Sequence, residues 1–208
     1  MISAVLFDFG GVILTSPFDE FAAYEQREGL PDGFLRRVNS TNPDSNAWAR
    51  LERSESSIER FVVEFEAEAL ELGHRVDGRQ VLACLAGELR PEMVLAVERC
   101  AQHFATGLLT NNVLSDEPAT SSGGSFADLL DVFDVVVESS RVGVRKPEPR
   151  FYEIALAELG VRAEESVFLD DLGVNLKPAR AMGMHTIKVT DPATAIAELE
   201  SITGISMR

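Results

Sequence analysis

The side chains of this sequence that could do chemistry stand at or shortly after the ends of short apolar segments. They are Asp8, Thr110 and Asn111, Lys146, and the pair Asp170 and Asp171. If those segments are parallel strands of one open sheet, ligands bind in the crevice beyond their carboxyl ends. We therefore expect these side chains to converge on one site, although more than 160 positions separate the first from the last.

Three of these side chains are carboxylates, and their chemistry indicates a metal ion. Carboxylates gathered without a fixed counter-charge repel one another, and the usual solution is a hard cation with oxygen ligands. Mg²⁺ fits, with oxygens from Asp8, Asp171 and the carbonyl of Gly10, and with water or phosphate completing an octahedron. If the cation and Lys146 both offset phosphate charge, an Asp8 oxygen could attack phosphorus, and water would then release the enzyme.

The segments that must position these residues alternate between strand and helix patterns. Residues 3–9 form an apolar run that meets two glycines, which is typical of a buried parallel strand ending in a tight turn. Further strands are predicted at Ala105–Thr110, 132–140, Ser166–Leu169 and 185–190, and helices at Glu92–Gln102, Arg150–Leu159, Leu176–Met182 and from Pro192 through Glu200. This alternation predicts an α/β protein with a doubly wound, Rossmann-like parallel sheet.

The segment from about Thr15 to Arg90 has a different pattern. Its apolar residues recur at three- and four-residue spacing, as in SSIERFVVEFEAEALELG. That period predicts several amphipathic helices, and no strand pattern interrupts them. Trp48 falls on one face of such a helix and is predicted to pack in its core.

Composition and net charge limit the class of molecule that this protein could bind. Hydrophobic residues make up 45% and charged residues 25% of the 208 positions, as in folded globular proteins. The net charge of −15 opposes binding to nucleic acid or to an anionic membrane, so we expect a small-molecule partner. No apolar run reaches the ~18 residues that span a bilayer, and MISAVLFDFG lacks a signal-peptide pattern, so we expect a cytoplasmic protein.

Four motifs carry a family resemblance. FDFGGVI, LLTNN, VRKPEPRFY and FLDDLGVN resemble, in order, the motifs of the haloacid dehalogenase-like (HAD) superfamily. The stretch FLDDLGVNLKPARAMGM is especially similar to the amino-terminal phosphatase domain of soluble epoxide hydrolase and to the related domain fused to certain acyl-CoA dehydrogenases. The resemblance implies a magnesium-dependent phosphatase acting on a small phosphorylated substrate.

The resemblance also implies a role for each site residue and a division of the chain. Asp8 would be the nucleophile, Thr110 and Asn111 would bind the transferring group, Lys146 would stabilise its charge, and Asp171 would ligate Mg²⁺ with Asp170 beside it. Residues 1–14 and 91–208 would form the catalytic core, and residues 15–90 a helical cap. Such a cap closes over the active site, excludes water and sets substrate choice.

One departure from the family pattern bears on the reaction. HAD phosphatases usually carry a second aspartate two residues after the nucleophile, where it protonates the leaving group and then activates water, but this chain has Gly10 there. A glycine carbonyl can still ligate a metal, yet it cannot transfer a proton. General acid and base assistance is typically worth ~10² to 10⁴ in rate.

Three hypotheses follow from this departure. The first is a working phosphatase whose substrate has a good leaving group, such as a sugar 1-phosphate or an acyl phosphate, or whose cap supplies the acid, with Asp19 and Glu20 as candidates. The second is a catalytically weakened binding or regulatory protein that keeps the metal site. The third is a 2-haloacid dehalogenase, whose first motif also lacks that aspartate, although Asp170 and Asp171 argue against a metal-free reaction.

Overall fold

A parallel sheet forms the centre of the protein. The computed structural model describes residues 1–113 and 125–207, so the polar loop predicted through Gly124 lies largely outside the described residues. Five strands pair in parallel, namely β1 Ala4–Phe7, β2 Ala105–Thr110, β3 Val135–Glu138, β4 Ser166–Asp170 and β5 His185–Lys188. Their order is β3-β2-β1-β4-β5, so the chain starts in the middle and extends the sheet on one side and then the other. The predicted doubly wound parallel α/β fold is confirmed.

Helices fill the long segment between β1 and the next strand. After a single irregular turn at Phe9–Ile13 come α1 Pro17–Glu28, α2 Phe34–Ser40, α3 Ala47–Glu52, α4 Ile58–Glu71 and α5 Gly78–Ala83. Their buried faces form an apolar cluster of their own, separate from the clusters against the sheet. The partly buried indole of Trp48 packs against this cluster, with its ring centroid 5.2 Å from that of Phe61 and 6.2 Å from that of Phe21. The prediction that Trp48 packs in a helical core is confirmed.

The remaining helices flank the sheet. They are α6 Pro91–Ala101, α7 Ser125–Leu130, α8 Ser139–Val142, α9 Pro149–Leu159, α10 Gly173–Ala181 and α11 Pro192–Thr203. Several boundaries differ from the sequence prediction by one to three residues, and two of these differences lie next to the sheet edge. The third strand ends at Glu138 because α8 begins immediately after it, and α10 begins at Gly173, three residues earlier than the predicted Leu176. Among the described residues, no helix is both long and apolar enough to cross a membrane.

The sheet is buried on both faces. One apolar cluster joins it to α6 and α11, and a second joins its other face to α9 and α10. Every residue of β1 and β4 is buried, which explains why these strands appear in the sequence as continuous apolar runs rather than alternating ones. The polar residues of interest therefore lie where these strands end, at the carboxyl edge of the sheet.

Candidate active site

Asp8 is the first residue after the central strand. Its backbone N–H donates to the carbonyl of Leu169 in β4 at 2.8 Å, which extends the strand pairing by one residue. The Asp8 side chain is buried, and its Oδ1 accepts a hydrogen bond from the N–H of Phe9 at 2.6 Å. The later strands of the chain lie on opposite sides of β1, with β2 on one side and β4 on the other, and open α/β sheets bind ligands at such a switch in strand order.

Lys146 lies between two of the carboxylates. Its Nζ is 2.6 Å from Asp8 Oδ1 and 2.9 Å from Asp170 Oδ2. The lysine side chain is 1% exposed and that of Asp170 is completely buried. One buried ammonium offsets the charge of only one of the two carboxylates, so this group of three keeps a net negative charge.

Hydrogen bonds hold Asp170 in a single orientation. Its Oδ1 accepts from the N–H of Leu172 at 2.8 Å, and the side-chain amide of Asn175 donates to both carboxylate oxygens, at 3.1 and 3.0 Å. The hydroxyl of Tyr152 in turn donates to the carbonyl of Asn175 at 2.7 Å. Asn175 lies within the motif FLDDLGVN, but nothing in the sequence pattern indicated that it would support Asp170.

Asn111 connects the end of β2 to the backbone of Lys146. Its Nδ2 donates to the carbonyl of Lys146 at 3.0 Å, and its Oδ1 accepts from the N–H of Lys146 at 2.9 Å. Thr110 is the last residue of β2 and is half-buried at the same edge. Its side chain makes no hydrogen bond to any residue in the described part of the chain. The structure thus brings Asn111 into direct contact with Lys146 and leaves the Thr110 hydroxyl available.

Asp171 approaches the backbone of the turn that follows Asp8. Gly11 has a positive φ of 76°, and a Cβ there would lie 2.3 Å from Asp171 Oδ2. Only glycine fits this position, because a side chain would be strained and would displace the carboxylate. One carboxylate oxygen from each of Asp8, Asp170 and Asp171 lies within 4.8 Å of the others, the arrangement expected for a hard cation with oxygen ligands.

Gly10 has room for a side chain. Its φ of −67° and ψ of 131° are extended values that any residue adopts. A Cβ added at Gly10 would meet nothing within 4 Å. Crowding therefore does not explain why the second aspartate of the family pattern is missing.

Burial and mutual repulsion govern the ionisation of the cluster. Burial raises the pKa of the Asp8 carboxyl well above its ordinary value, Lys146 opposes this, and Asp170 adds to it. Burial and then the neighbouring Asp170 raise the pKa of Asp171 to about 6, against the lowering effect of Lys146 and Arg90. Burial alone would lower the pKa of Lys146, but the two carboxylates in contact with it outweigh burial and raise it, so the ammonium stays charged.

Sequence reasoning missed one carboxylate beside this cluster. Glu52, the last residue of α3, is only 8% exposed, and its Oε2 accepts a hydrogen bond from Asn111 Nδ2 at 3.2 Å. Its spacing in the sequence is that of a solvated helix face, so no local signal could have found it. Asp19 and Glu20, the candidates for an acid supplied by the helices, are instead exposed in the first turn of α1, where the helix dipole favours carboxylates.

Curated relatives match almost the whole chain. It is 37% identical over 211 residues to acyl-CoA dehydrogenase family member 10 of Mus musculus and 32% identical over 219 residues to bifunctional epoxide hydrolase 2 of Sus scrofa. These matches cover 98% and 99% of this chain but 19% and 40% of those proteins, so the chain spans less than half of their length. Phosphatase MT3486 of Mycobacterium tuberculosis is 33% identical over 202 residues, which are 90% of this chain and 87% of that protein.

Solved structures share the fold. A predicted HAD-like hydrolase from Porphyromonas gingivalis superposes with a TM-score of 0.66 at 23% identity, covering 96% of this chain and 98% of that one. L-2-haloacid dehalogenase from Xanthobacter autotrophicus superposes with a TM-score of 0.61 at 21% identity, covering 99% of this chain and 84% of that one. A HAD family enzyme from Bacteroides thetaiotaomicron was solved with magnesium and inorganic phosphate. It superposes with a TM-score of 0.56 at 17% identity, covering 90% of this chain and 94% of that one. At these identities the likeness establishes the fold alone.

The family profile agrees with the four motifs and with the geometry of the sheet edge. The profile of the haloacid dehalogenase-like hydrolases matches residues 2–183, which include the apolar first strand, the ends of β2 and β4, and Lys146. The resemblance predicted from the sequence is confirmed. The chain belongs to the haloacid dehalogenase-like hydrolase family.

Proposed function

We propose that this protein is a magnesium-dependent phosphatase that transfers the phosphoryl group of a small phosphate monoester to Asp8 and then to water. The observation that carries the proposal is the buried contact of Lys146 Nζ with Asp8 at 2.6 Å and with Asp170 at 2.9 Å, beside the third carboxylate of Asp171. The likeness to a phosphatase of Mycobacterium tuberculosis supports the same reaction class.

The residues of the site fit a magnesium ion. When all four side chains are ionised, Asp8, Asp170, Asp171 and Lys146 together carry three negative charges and one positive charge, and one oxygen of each carboxylate lies within 4.8 Å of the others. We propose that Asp8, Asp171 and the carbonyl of Gly10 hold the ion, with Asp170 beside them. Bound there, Mg²⁺ would neutralise part of this charge and help to orient the phosphate oxygens.

Asp8 is the proposed nucleophile. Its carboxylate attacks the phosphorus, the bond to the ester oxygen breaks, and the leaving group departs with that electron pair, which forms an aspartyl phosphate. Water then attacks the same phosphorus, and cleavage of the aspartyl bond releases phosphate and restores the carboxylate. Lys146 offsets the charge that develops on the phosphoryl oxygens, and Thr110 and Asn111 are proposed to bind the transferring group.

Gly10 limits the substrates that this site can hydrolyse. Without a carboxyl group at this position, the site lacks the proton donor that the family pattern places there, and such assistance is typically worth ~10² to 10⁴ in rate. Esters whose leaving groups depart readily, such as sugar 1-phosphates and acyl phosphates, are therefore the proposed substrates.

Residues 15–90 are proposed to form the cap over this site. Two observations support this proposal. Helices α1–α5 have an apolar cluster of their own, and the segments between these helices contact residues at the sheet edge. Ser54 Oγ donates to the carbonyl of Ser140 at 2.8 Å, and Arg145 Nη1 donates to the carbonyl of Pro43 at 2.9 Å. The cap would then cover the side of the site where the leaving group lies.

Initial rates on a panel of aryl, alkyl, sugar 1- and acyl phosphates, with and without Mg²⁺, test the proposal. We expect wild-type turnover that requires Mg²⁺ and falls steeply as the pKa of the leaving group rises. Asp8→Asn should abolish it, and Gly10→Asp should raise the rate on alkyl esters, since the backbone there accepts a side chain without contact within 4 Å. Asp32→Asn, at an exposed position between α1 and α2, is the matched control and should leave the rates unchanged.

Three results would contradict the proposal. Absence of turnover on every ester would favour a protein that binds phosphate or metal without catalysis. Halide release from a 2-haloacid that is insensitive to a chelator would favour dehalogenation. Turnover that persists in Asp8→Asn would show that a different residue is the nucleophile.

A further inference from the structure

The carboxylate of Glu52 joins the helices to the sheet edge. Its Oε1 accepts from the indole N–H of Trp48 at 2.9 Å, on the same helix. Its Oε2 contacts two residues of the sheet edge, accepting from Asn111 Nδ2 at 3.2 Å and forming an ion pair with Arg145 Nε at 2.5 Å. Both oxygens are therefore engaged, by partners from three separate parts of the chain.

The local sequence does not favour a carboxylate at this place. Glu52 ends α3, and the partial negative charge at a helix C-terminus disfavours an acidic side chain there. The side chain is also buried, and burying a carboxylate costs free energy unless it is paired and hydrogen-bonded. Asn111 and Arg145, which lie outside the helix, offset this cost. A residue that breaks local rules in this way is expected at a functional position.

Glu52 contacts the residues that position the backbone of Lys146. Asn111 holds the N–H of Lys146 at 2.9 Å and its carbonyl at 3.0 Å through one side-chain amide, and the same amide donates to Glu52. Arg145 directly precedes Lys146 in the chain. Glu52 therefore constrains the peptide of Lys146 from two sides, and the side chain of that lysine ends 2.6 Å from the proposed nucleophile, Asp8.

We propose that Glu52 is a positioning residue for the proposed phosphatase reaction: through Asn111 and Arg145, it sets the place of the Lys146 ammonium beside Asp8 when the helices cover the site. This inference rests on the proposed function and extends it to a residue of the helices. Glu52 acts through its neighbours and does not itself touch the phosphoryl group. Because its contacts cross from α3 to the sheet edge, Lys146 is fully positioned only while the helices are docked.

Kinetics of Glu52→Gln and Glu52→Ala test this role. Glu64→Ala is the matched control, because Glu64 pairs with Arg50 at 2.8 Å and Arg60 at 2.7 Å within the helices and has no contact with the sheet edge among the described residues. We expect Glu52→Ala to lower kcat by about tenfold to a hundredfold with little change in KM, since misplacement of a charged group by about 1 Å has effects of that size. Glu52→Gln keeps an oxygen acceptor for Asn111 and should lose less, and Glu64→Ala should stay within twofold of wild type.

The dependence of the rate loss on the leaving group distinguishes a positioning role of Glu52 from proton transfer by Glu52. Lys146 acts on phosphoryl charge in every substrate, so the loss in Glu52→Ala should be equal for aryl and alkyl esters. A loss confined to alkyl esters, or one as large in Glu52→Gln as in Glu52→Ala, would overturn the proposal, because it would make Glu52 the proton donor. A rise in KM alone would also overturn it, because Glu52 would then contribute to substrate binding.

Amide hydrogen exchange tests the inference without turnover. The N–H of Lys146 donates to Asn111 Oδ1, so its exchange reports how firmly Asn111 is held. We expect faster exchange at Lys146 in Glu52→Ala and Glu52→Gln than in wild type or Glu64→Ala. Equal exchange in all four proteins would overturn the inference, whereas absence of wild-type turnover together with faster exchange would count against the proposed function alone.

Discussion

Charged side chains are used in opposite ways at the sheet edge and in helices α1–α5. At the sheet edge, Lys146 and Asp170 are 1% and 0% exposed and contact each other at 2.9 Å. In the helices, Arg60 pairs with Glu64 at 2.7 Å while the arginine side chain is 67% exposed. Exposed pairs of this kind typically contribute about 0 to 1 kcal/mol to stability, whereas removing one partner of a buried pair costs about 3 to 5 kcal/mol.

This difference shows which region tolerates change. The helices depend on apolar packing around Trp48, so their surface charges can be replaced at little cost. The sheet edge depends on buried charges, and each of them must keep the oppositely charged partner that it contacts. Glu52 lies on α3, but its carboxylate is buried and contacts Asn111 and Arg145 at the sheet edge, so it is one of the residues through which the two regions depend on each other.

The strongest test of the comparison removes the buried cation. Lys146→Met leaves the carboxylates of Asp8 and Asp170 without their shared partner, so we expect the free energy of unfolding to fall by about 3 to 5 kcal/mol and turnover to be lost. Urea denaturation without Mg²⁺ measures the change. The control is Lys188→Met at an exposed position of β5, which should stay within about 0.5 kcal/mol of wild type. Equal stability of the two variants would contradict the buried charge network.

A smaller effect is expected from the turn after Asp8. Gly11→Ala would place a Cβ 2.3 Å from Asp171 Oδ2 at a φ of 76°, so we expect a loss of about 1 to 3 kcal/mol in the free energy of unfolding and weaker Mg²⁺ binding. Thermal denaturation and Mg²⁺ titration by calorimetry measure both. Gly10→Ala is the control, because that position has an ordinary backbone and free space, and it should be neutral or slightly stabilising. The prediction fails if the two alanines have the same effect.

Apolar packing in the helices is tested by a matched pair of valines. Val81 of α5 is completely buried, whereas Val63 of α4 is 68% exposed. Val81→Ala removes two buried methyl groups and leaves a small cavity, so we expect a loss of about 2 kcal/mol in the free energy of unfolding. Val63→Ala should change it by less than about 0.5 kcal/mol. Similar losses at both positions would show that the helices are not held by this cluster.

The smallest expected effect is the pH dependence of Mg²⁺ binding. The pKa of the Asp171 carboxyl is raised from 3.8 to about 6, so the folded, metal-free protein binds the carboxyl proton more tightly than the unfolded chain does. The contribution of Asp171 to the free energy of unfolding therefore falls as the pH rises from about 4 to about 6. Below about pH 6, Mg²⁺ must displace the proton, which weakens binding by up to about tenfold per pH unit. We expect the Mg²⁺-induced rise in Tm to be larger at about pH 7.5 than at about pH 5. Equal rises at both pH values would contradict this assignment.

Much of the sheet could be predicted because its strands have simple local signals. The bounds of β2 agree with the prediction at Ala105–Thr110, and Asp191 caps α11 by accepting from the N–H of Thr194 at 2.9 Å. The start of α10 was predicted three residues late, at Leu176 instead of Gly173. That segment carries no side-chain cap of its own, and the N–H of Leu172 just before it is held by Asp170 Oδ1 instead.

By itself, the sequence determined the class of fold and the residues that could do chemistry, because buried parallel strands require apolar runs and because reactive side chains stood at their ends. Only the tertiary structure decided how those residues are partnered. It placed Lys146 between Asp8 and Asp170, the amide of Asn175 on Asp170, and the carboxylate of Glu52 against Asn111. The contacts of Lys146 and of Glu52 join residues that are 24 or more positions apart in the chain. Their geometry depends on how helices and strands pack, which no local pattern of residues encodes.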